Sequence, residues 1–307
     1  MPLFRISDSK LKLLESKSFK LEIDLQKLID NNLKELFGFD FIKTEFGGQG
    51  LSIDTIAYDP ETKAPVLIEY KRDEQDTVFD QGMSYLGWLL EHKGDYKVEL
   101  MEKIGKKEID WTQTKVIFIA RNFSKYHIKA ASFRNLPIEL WRYDFYDNFL
   151  LLEKIELVKS DISISSVVKN YSAEKITKEI KPYTVEQHLQ KGSPLTQELF
   201  NQFDEGFPNI AQGFEKHPVK YWIGYYKGGY NLVEISIQKK KLILSLLRAK
   251  PSDLSDPEQK MKYMPYSLKN YNKHISTVNI NNQSDVVYSL MLIKQLYEKY
   301  KGKVGNW

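Results

Sequence analysis

The amino-acid sequence predicts an α/β fold, a mixed sheet flanked by helices, with a second, smaller α+β domain behind it. Three observations carry that expectation. In the first half the periodic segments run helix, three strands, helix, strand, helix, strand, the alternation that builds a layered α/β sheet. Lys115 to Arg121, KVIFIAR, is a nearly continuous apolar run, as expected of a strand covered on both faces. Residues 158–184 are polar, rich in Ser and Lys, and end in a Pro-containing stretch, which reads as a linker in a chain of 307 residues. The expected division is residues 1–157, a linker at 158–184, and residues 185–307.

The elements follow in order. A helix is predicted from about Phe19 to Phe37, stopped at Gly38. IKTEF reads as the first strand and GGQG as a flexible turn. Leu51 to Tyr58 alternates apolar and polar residues, DPETKA supplies turn chemistry, and Pro65 to Lys71 returns as the second strand of a hairpin. The next helix, from about Val78 to His92, places Phe79, Met83, Leu86 and Leu90 at i, i+4, i+7 and i+11, a stripe suited to packing on a sheet. Gln81, Tyr85 and Trp88 form the neighbouring stripe. After KVIFIAR, a short helix near Tyr126 to Phe133 precedes two strands, IELWRYDFY and FLLLEKIEL. In the second part, helices from Thr184 to Leu189 and Leu195 to Phe207 precede three antiparallel strands, turned at Gly228-Gly229 and at Lys239-Lys240-Lys241. A final helix from about Asp285 to Tyr300 carries Val287, Leu290, Leu292, Leu296 and Tyr297 on a broad apolar face.

The hairpin carries the chemistry. Without a bulge, pairing Tyr58 with Pro65 brings the ladder to a register in which Asp54 lies opposite Glu69, and opposite residues share a face about 4.5 to 5.5 Å apart at Cβ. Lys71, two residues beyond Glu69, projects from that same face. Two carboxylates facing each other repel, and a hard divalent cation with oxygen ligands compensates; two carboxylates, waters and substrate phosphate oxygens are the usual way Mg²⁺ is held.

The pattern Ile53-Asp54 with Glu69-Tyr70-Lys71 resembles the PD-(D/E)XK nuclease superfamily, with Ile53 where the family has its proline. A helix precedes the first strand, as in the family, and Glu22 at its start stands where many members carry an additional acidic metal ligand. Gln81 and Tyr85 form a Q-x-x-x-Y element, which resembles the RecB-like and NucS-like branches, and the run QGMSYLGWL is especially similar to the NucS-like catalytic domain and its bacterial relatives. The resemblance covers residues 18 to 157, about half the chain. It implies a restriction-endonuclease-like fold and a Mg²⁺- or Mn²⁺-dependent endonuclease. Asp54 and Glu69 would be metal ligands with the backbone carbonyl of Tyr70 and with Glu22. Lys71, Gln81 and Tyr85 would complete the catalytic group. The second half is similar to a small α+β domain formerly labelled a predicted transport protein.

The implied partner is DNA, with RNA as the alternative polyanion, since bound phosphates look alike and contacts to a 2′-OH leave no mark in a sequence. A homodimer would suit double-strand cleavage. The rival reading is a recognition module that keeps the fold without the chemistry; the intact Asp54, Glu69 and Lys71 count against it.

Composition narrows the classes further. There is no cysteine, which removes a disulfide framework, a Cys-ligated zinc and a thiol nucleophile. No apolar run approaches a membrane span and the N-terminal region is charged from Arg5 onward, so the expectation is a cytoplasmic protein that does not enter a membrane. Residues 1–160 carry 24 Lys and Arg against 27 Asp and Glu, and residues 161–307 carry 21 against 14. That basic second half reads as an ordinary solvated surface, because no basic block exceeds the lysine triplet. Trp222, Tyr225, Tyr226 and Tyr230 near Lys220 and Lys227 could stack unpaired bases, but core and cross-strand packing is the preferred reading. The histidines are scattered, with no pair spaced for a helix metal site, and no phosphate loop of the GxxxxGK[ST] type occurs.

Overall fold

The computed structural model describes residues 3–17, 19, 21–48, 50–71, 78–105, 107–133, 136–158, 160, 162 and 171–301. Arg72, the side chain of Phe79 and residues 159, 161 and 163–170 of the expected linker lie outside the described residues. The chain divides into two compact units, one of Met1–Lys34 with Phe39–Pro182 and the other of Glu35–Gly38 with Tyr183–Trp307.

The first unit begins with a two-stranded ribbon, β1 (Leu3–Ser7) and β2 (Lys10–Leu14). Its turn residues Asp8 and Ser9 both take positive φ, 48° and 61°, the backbone that a tight hairpin needs. No glycine marks that turn, so the sequence hides it. The expected single helix is two: α1 (Glu22–Asp30), acidic in its first turn and buried through Leu25 and Ile29, and α2 (Leu33–Phe37). They part at Asn31-Asn32, residues that favour helix ends over helix interiors.

A six-stranded sheet follows in the order β3 (Asp40–Gly48), β4 (Leu51–Asp59), β5 (Ala64–Lys71), β6 (Lys115–Ala120), β7 (Ile138–Tyr146) and β8 (Phe149–Lys154). β5 pairs with β6 and β6 with β7 in parallel, while the other pairings are antiparallel. The parallel connections require crossovers. They run through α3 (Val78–Glu91) and α4 (Lys93–Ile104), then through α5 (Lys125–Ala131). Every residue of β5 is buried, as its position between two strands and two layers of helix demands. The turn between β4 and β5 is built by Asp59, whose Oδ1 accepts from the backbone N–H of Glu61 at 2.9 Å and of Thr62 at 3.4 Å, an Asx arrangement.

Inside the stretch expected to be a linker, α6 (Tyr171–Glu179) packs on α3. Ile176 and Ile180 sit in the first unit's core. The apolar pair at i and i+4 gives this otherwise polar segment a face to bury.

The second unit contains α7 (Val185–Leu189), α8 (Pro194–Gly206), β9 (Glu215–Pro218), β10 (Ile223–Lys227), β11 (Tyr230–Ile237), β12 (Leu242–Leu247), β13 (Lys262–Tyr263), α9 (Ser267–Tyr271), β14 (Ile275–Ile280) and α10 (Gln283–Tyr300). Its sheet, ordered β13-β14-β12-β11-β10-β9, is antiparallel throughout. Both α8 and α10 pack on it. Tyr225 lies in the core against Phe203 and Phe207, so that ring is not a stacking platform. On α10, Leu292 and Leu296 are fully buried, whereas Val287 is 64% exposed and lies off the expected face.

Candidate active site

The register of the β4–β5 hairpin sets the site. Tyr58 pairs with Pro65, and the ladder continues to Thr55 opposite Ile68. The next position outward is Asp54 and Glu69. Here a side chain takes over from the backbone: the Tyr70 N–H donates to Asp54 Oδ2 at 2.9 Å. Lys71 Nζ donates to Glu69 Oε1 at 2.6 Å. The three charged groups therefore meet at the end of one strand pair. Lys71 and Glu69 are almost fully buried.

Burial pushes the Glu69 carboxyl up to about 7, aided by the charge of Asp54 and opposed by Lys71 and Tyr85. Burial also raises Asp54, against the hydrogen bond from Tyr70 and the charge of Lys71, while Glu22 pushes it up further. Crowded, desolvated carboxylates of this kind are costly in isolation and mark functional positions.

The helix α3 delivers the other two residues. Gly82 lets it lie close to the sheet: a Cβ there would stand 2.8 Å from Ile138 Cδ1 and 3.2 Å from Phe118 Cε2. Tyr85, one turn on, directs its hydroxyl at Glu69, and burial together with that carboxylate raises the phenol. Gln81 is half-buried, and its Oε1 finds no hydrogen-bond partner among the described residues. Glu69 Oε2 is likewise buried and unpartnered. Orphaned buried acceptors are uncommon in native proteins and call for a donor or a cation.

Glu22 opens α1 and acts on Asp54 through its charge. It does not close a cluster with Asp54 and Glu69, since among the described residues no group of three His, Asp or Glu is placed to hold a metal. The donor set that fits a cation is thus a carboxylate pair with the adjoining main chain, the smaller set typical of Mg²⁺, which keeps several waters.

Behind the pair lies a polar group that the sequence reading missed. Gln26 Nε2 donates to the Asp54 carbonyl at 2.8 Å and to Thr55 Oγ1 at 3.3 Å. Asp30 accepts from Thr55 Oγ1 at 3.0 and 2.9 Å and from the Tyr70 hydroxyl at 2.7 Å. The available signal was the spacing Glu22, Gln26, Asp30, which puts three polar residues on one helix face.

No family model matches the chain. A protein of Haemophilus influenzae (strain ATCC 51907 / DSM 11121 / KW20 / Rd), described as uncharacterized, is 36% identical over 301 residues, covering 96% of this chain and 99% of its own length. The chain belongs to the family of that protein. Among solved structures it is similar to a repair endonuclease from Pyrococcus abyssi, at 18% identity and a TM-score of 0.27 over 42% of this chain and 49% of that one. It is also similar to EndoMS in a complex with double-stranded DNA, at 15% identity and a TM-score of 0.23 over 43% of this chain and 51% of that one. The chain thus matches about half the length of each. Among the described residues no helix is long and apolar enough to cross a membrane.

Proposed function

We propose that the chain is a Mg²⁺- or Mn²⁺-dependent endonuclease that hydrolyses DNA phosphodiester bonds. The observation that carries the reading is the group at the end of the β4–β5 ladder: Asp54 oriented by the Tyr70 N–H, and Glu69 paired with Lys71 yet left with a buried, unpartnered oxygen.

Asp54, Glu69 and the backbone carbonyl of Tyr70 would hold the cation, with Glu22 adding negative charge beside Asp54. When bound, it would polarise the scissile phosphate and lower the pKa of a coordinated water. Lys71 supplies the positive charge that the phosphoryl group needs as negative charge builds on its oxygens, or orients the attacking water. Tyr85 braces Glu69 from α3, and the unpartnered Gln81 Oε1 offers an acceptor for a nucleotide or a water. The second unit is assigned a substrate- or partner-binding role.

The test is incubation with supercoiled plasmid, with single-stranded, flapped and mismatched DNA, and with matched RNA, each in Mg²⁺, Mn²⁺ or EDTA. Metal-dependent cutting of DNA is expected. Cutting of RNA alone would reassign the substrate, and binding without any cutting would replace the hydrolase by a recognition module.

A further inference from the structure

We propose that Asp30 is a positioning residue that clamps β4 to β5 behind the carboxylate pair, so that Asp54 and Glu69 are held at the separation one cation requires. The inference rests on the metal-dependent reading of the site.

The backbone ladder between these strands runs from Asp59 opposite Ala64 to Thr55 opposite Ile68. Beyond it, the strands meet through side chains. Thr55 directly follows Asp54 in β4, and Tyr70 directly follows Glu69 in β5, so both point away from the carboxylate face. Their hydroxyls donate to the same carboxylate, Thr55 at 3.0 and 2.9 Å and Tyr70 at 2.7 Å. Asp30 therefore bridges the two strands where their backbone pairing stops. Gln26, one turn earlier on α1, fixes the Asp54 carbonyl at 2.8 Å. Two residues of one helix face thus hold the aspartate's own main chain and the spacing to the next strand.

Burial makes this arrangement specific. Thr55 and Tyr70 are fully buried and Gln26 nearly so. Apolar residues of similar volume would join a helix to a sheet at no cost in desolvated polar groups. What a fully bonded polar cluster adds is a unique geometry, and partners of this outer kind orient the groups that touch a metal.

The test compares Tyr70→Phe, Asp30→Asn and Thr55→Val with wild type in the full chain. Mn²⁺ binding is read by titration calorimetry, and kcat and KM by DNA cleavage. Tyr58→Phe is the control, since it removes a hydroxyl that donates to the Glu108 carbonyl at 2.8 Å, at the turn end of the same hairpin. The three clamp variants should weaken Mn²⁺ binding or lower kcat roughly 10- to 100-fold, the usual effect of removing an outer partner, with KM for DNA unchanged. Tyr58→Phe should do neither, and Thr55→Ser, which keeps the hydroxyl, should behave as wild type. If the clamp variants bind Mn²⁺ and turn over like wild type, the clamp is overturned and the nuclease reading survives. If wild type neither binds Mn²⁺ nor cuts, that reading fails and the clamp falls with it.

Discussion

The backbone N–H of Tyr70 donates to Asp54 Oδ2 at 2.9 Å, so the residue separating Glu69 from Lys71 in β5 also orients the aspartate of β4. One strand thereby sets all three charged groups. Any change that shifts β5 along its neighbours should disturb them together.

Tyr85→Phe removes a hydroxyl directed at Glu69 while keeping the ring that fills the core. Metal-dependent cleavage should fall roughly 10-fold, at the lower end for a partner one step removed from a metal, with the melting temperature little changed. An unchanged kcat would remove Tyr85 from the site.

Glu69 gives the site a pH signature. Its carboxyl is pushed up to about 7, so the folded state holds the proton more tightly than the unfolded chain does. Its contribution to stability is complete below the ordinary carboxyl range and is lost as pH rises through about 7. Because a bound cation takes the proton's place, Mg²⁺ or Mn²⁺ binding should weaken as pH falls below about 7 and should release a proton. Calorimetric titrations in buffers of different ionisation enthalpy would read that proton; no release at pH 6 would contradict the assignment.

His188 has the opposite sense. Burial lowers its pKa, reinforced by the charge of Lys191, and its Nε2 lies 2.7 Å from the Val219 carbonyl. Nδ1 is buried without a partner among the described residues, so a second proton there has nowhere to go. A histidine depressed in the folded state contributes stability that is complete above its unfolded pKa of about 6.5 and is lost as pH falls from there through its lowered folded-state pKa. Urea titrations of the wild type and of His188→Gln at pH 7.5 and 5.5 should show the wild type losing more stability on acidification; equal losses would refute the attribution.

What was legible in the sequence follows from local rules. Alternation along Leu51 to Tyr58 and the Asp59-Pro60 turn sufficed for the pairing of Tyr58 with Pro65, because a two-fold period and a turn together set a register. The apolar stripe on α3 was equally plain in Met83, Leu86 and Leu90, all buried. The clamp was hidden for a physical reason: Gln26 and Asp30 are residues that ordinarily face water, and only the tertiary fold brings Thr55 and Tyr70 to them. Composition misled at α6, where Ser and Lys masked the pair Ile176 and Ile180. The helix α4, whose buried residues are Tyr96 and Leu100, carries too few apolar positions to stand out.

The helix α6 supplies a stability test. Ile176 is fully buried in the first unit's core, and truncating a buried isoleucine costs about 2–5 kcal/mol. Ile176→Ala should destabilise the protein by that amount in denaturant titration, whereas a change below about 0.5 kcal/mol, the usual effect at the surface, would return the segment to a linker.

The most direct test of the account is cleavage of supercoiled plasmid in Mg²⁺ or Mn²⁺ by the wild type, Asp54→Ala and Lys71→Ala, with folding checked by circular dichroism. The account predicts metal-dependent nicking or linearisation by the wild type, and a fall of at least about 100-fold in both variants, as when a group aimed at developing charge is lost. Substantial cutting by folded Asp54→Ala would contradict it.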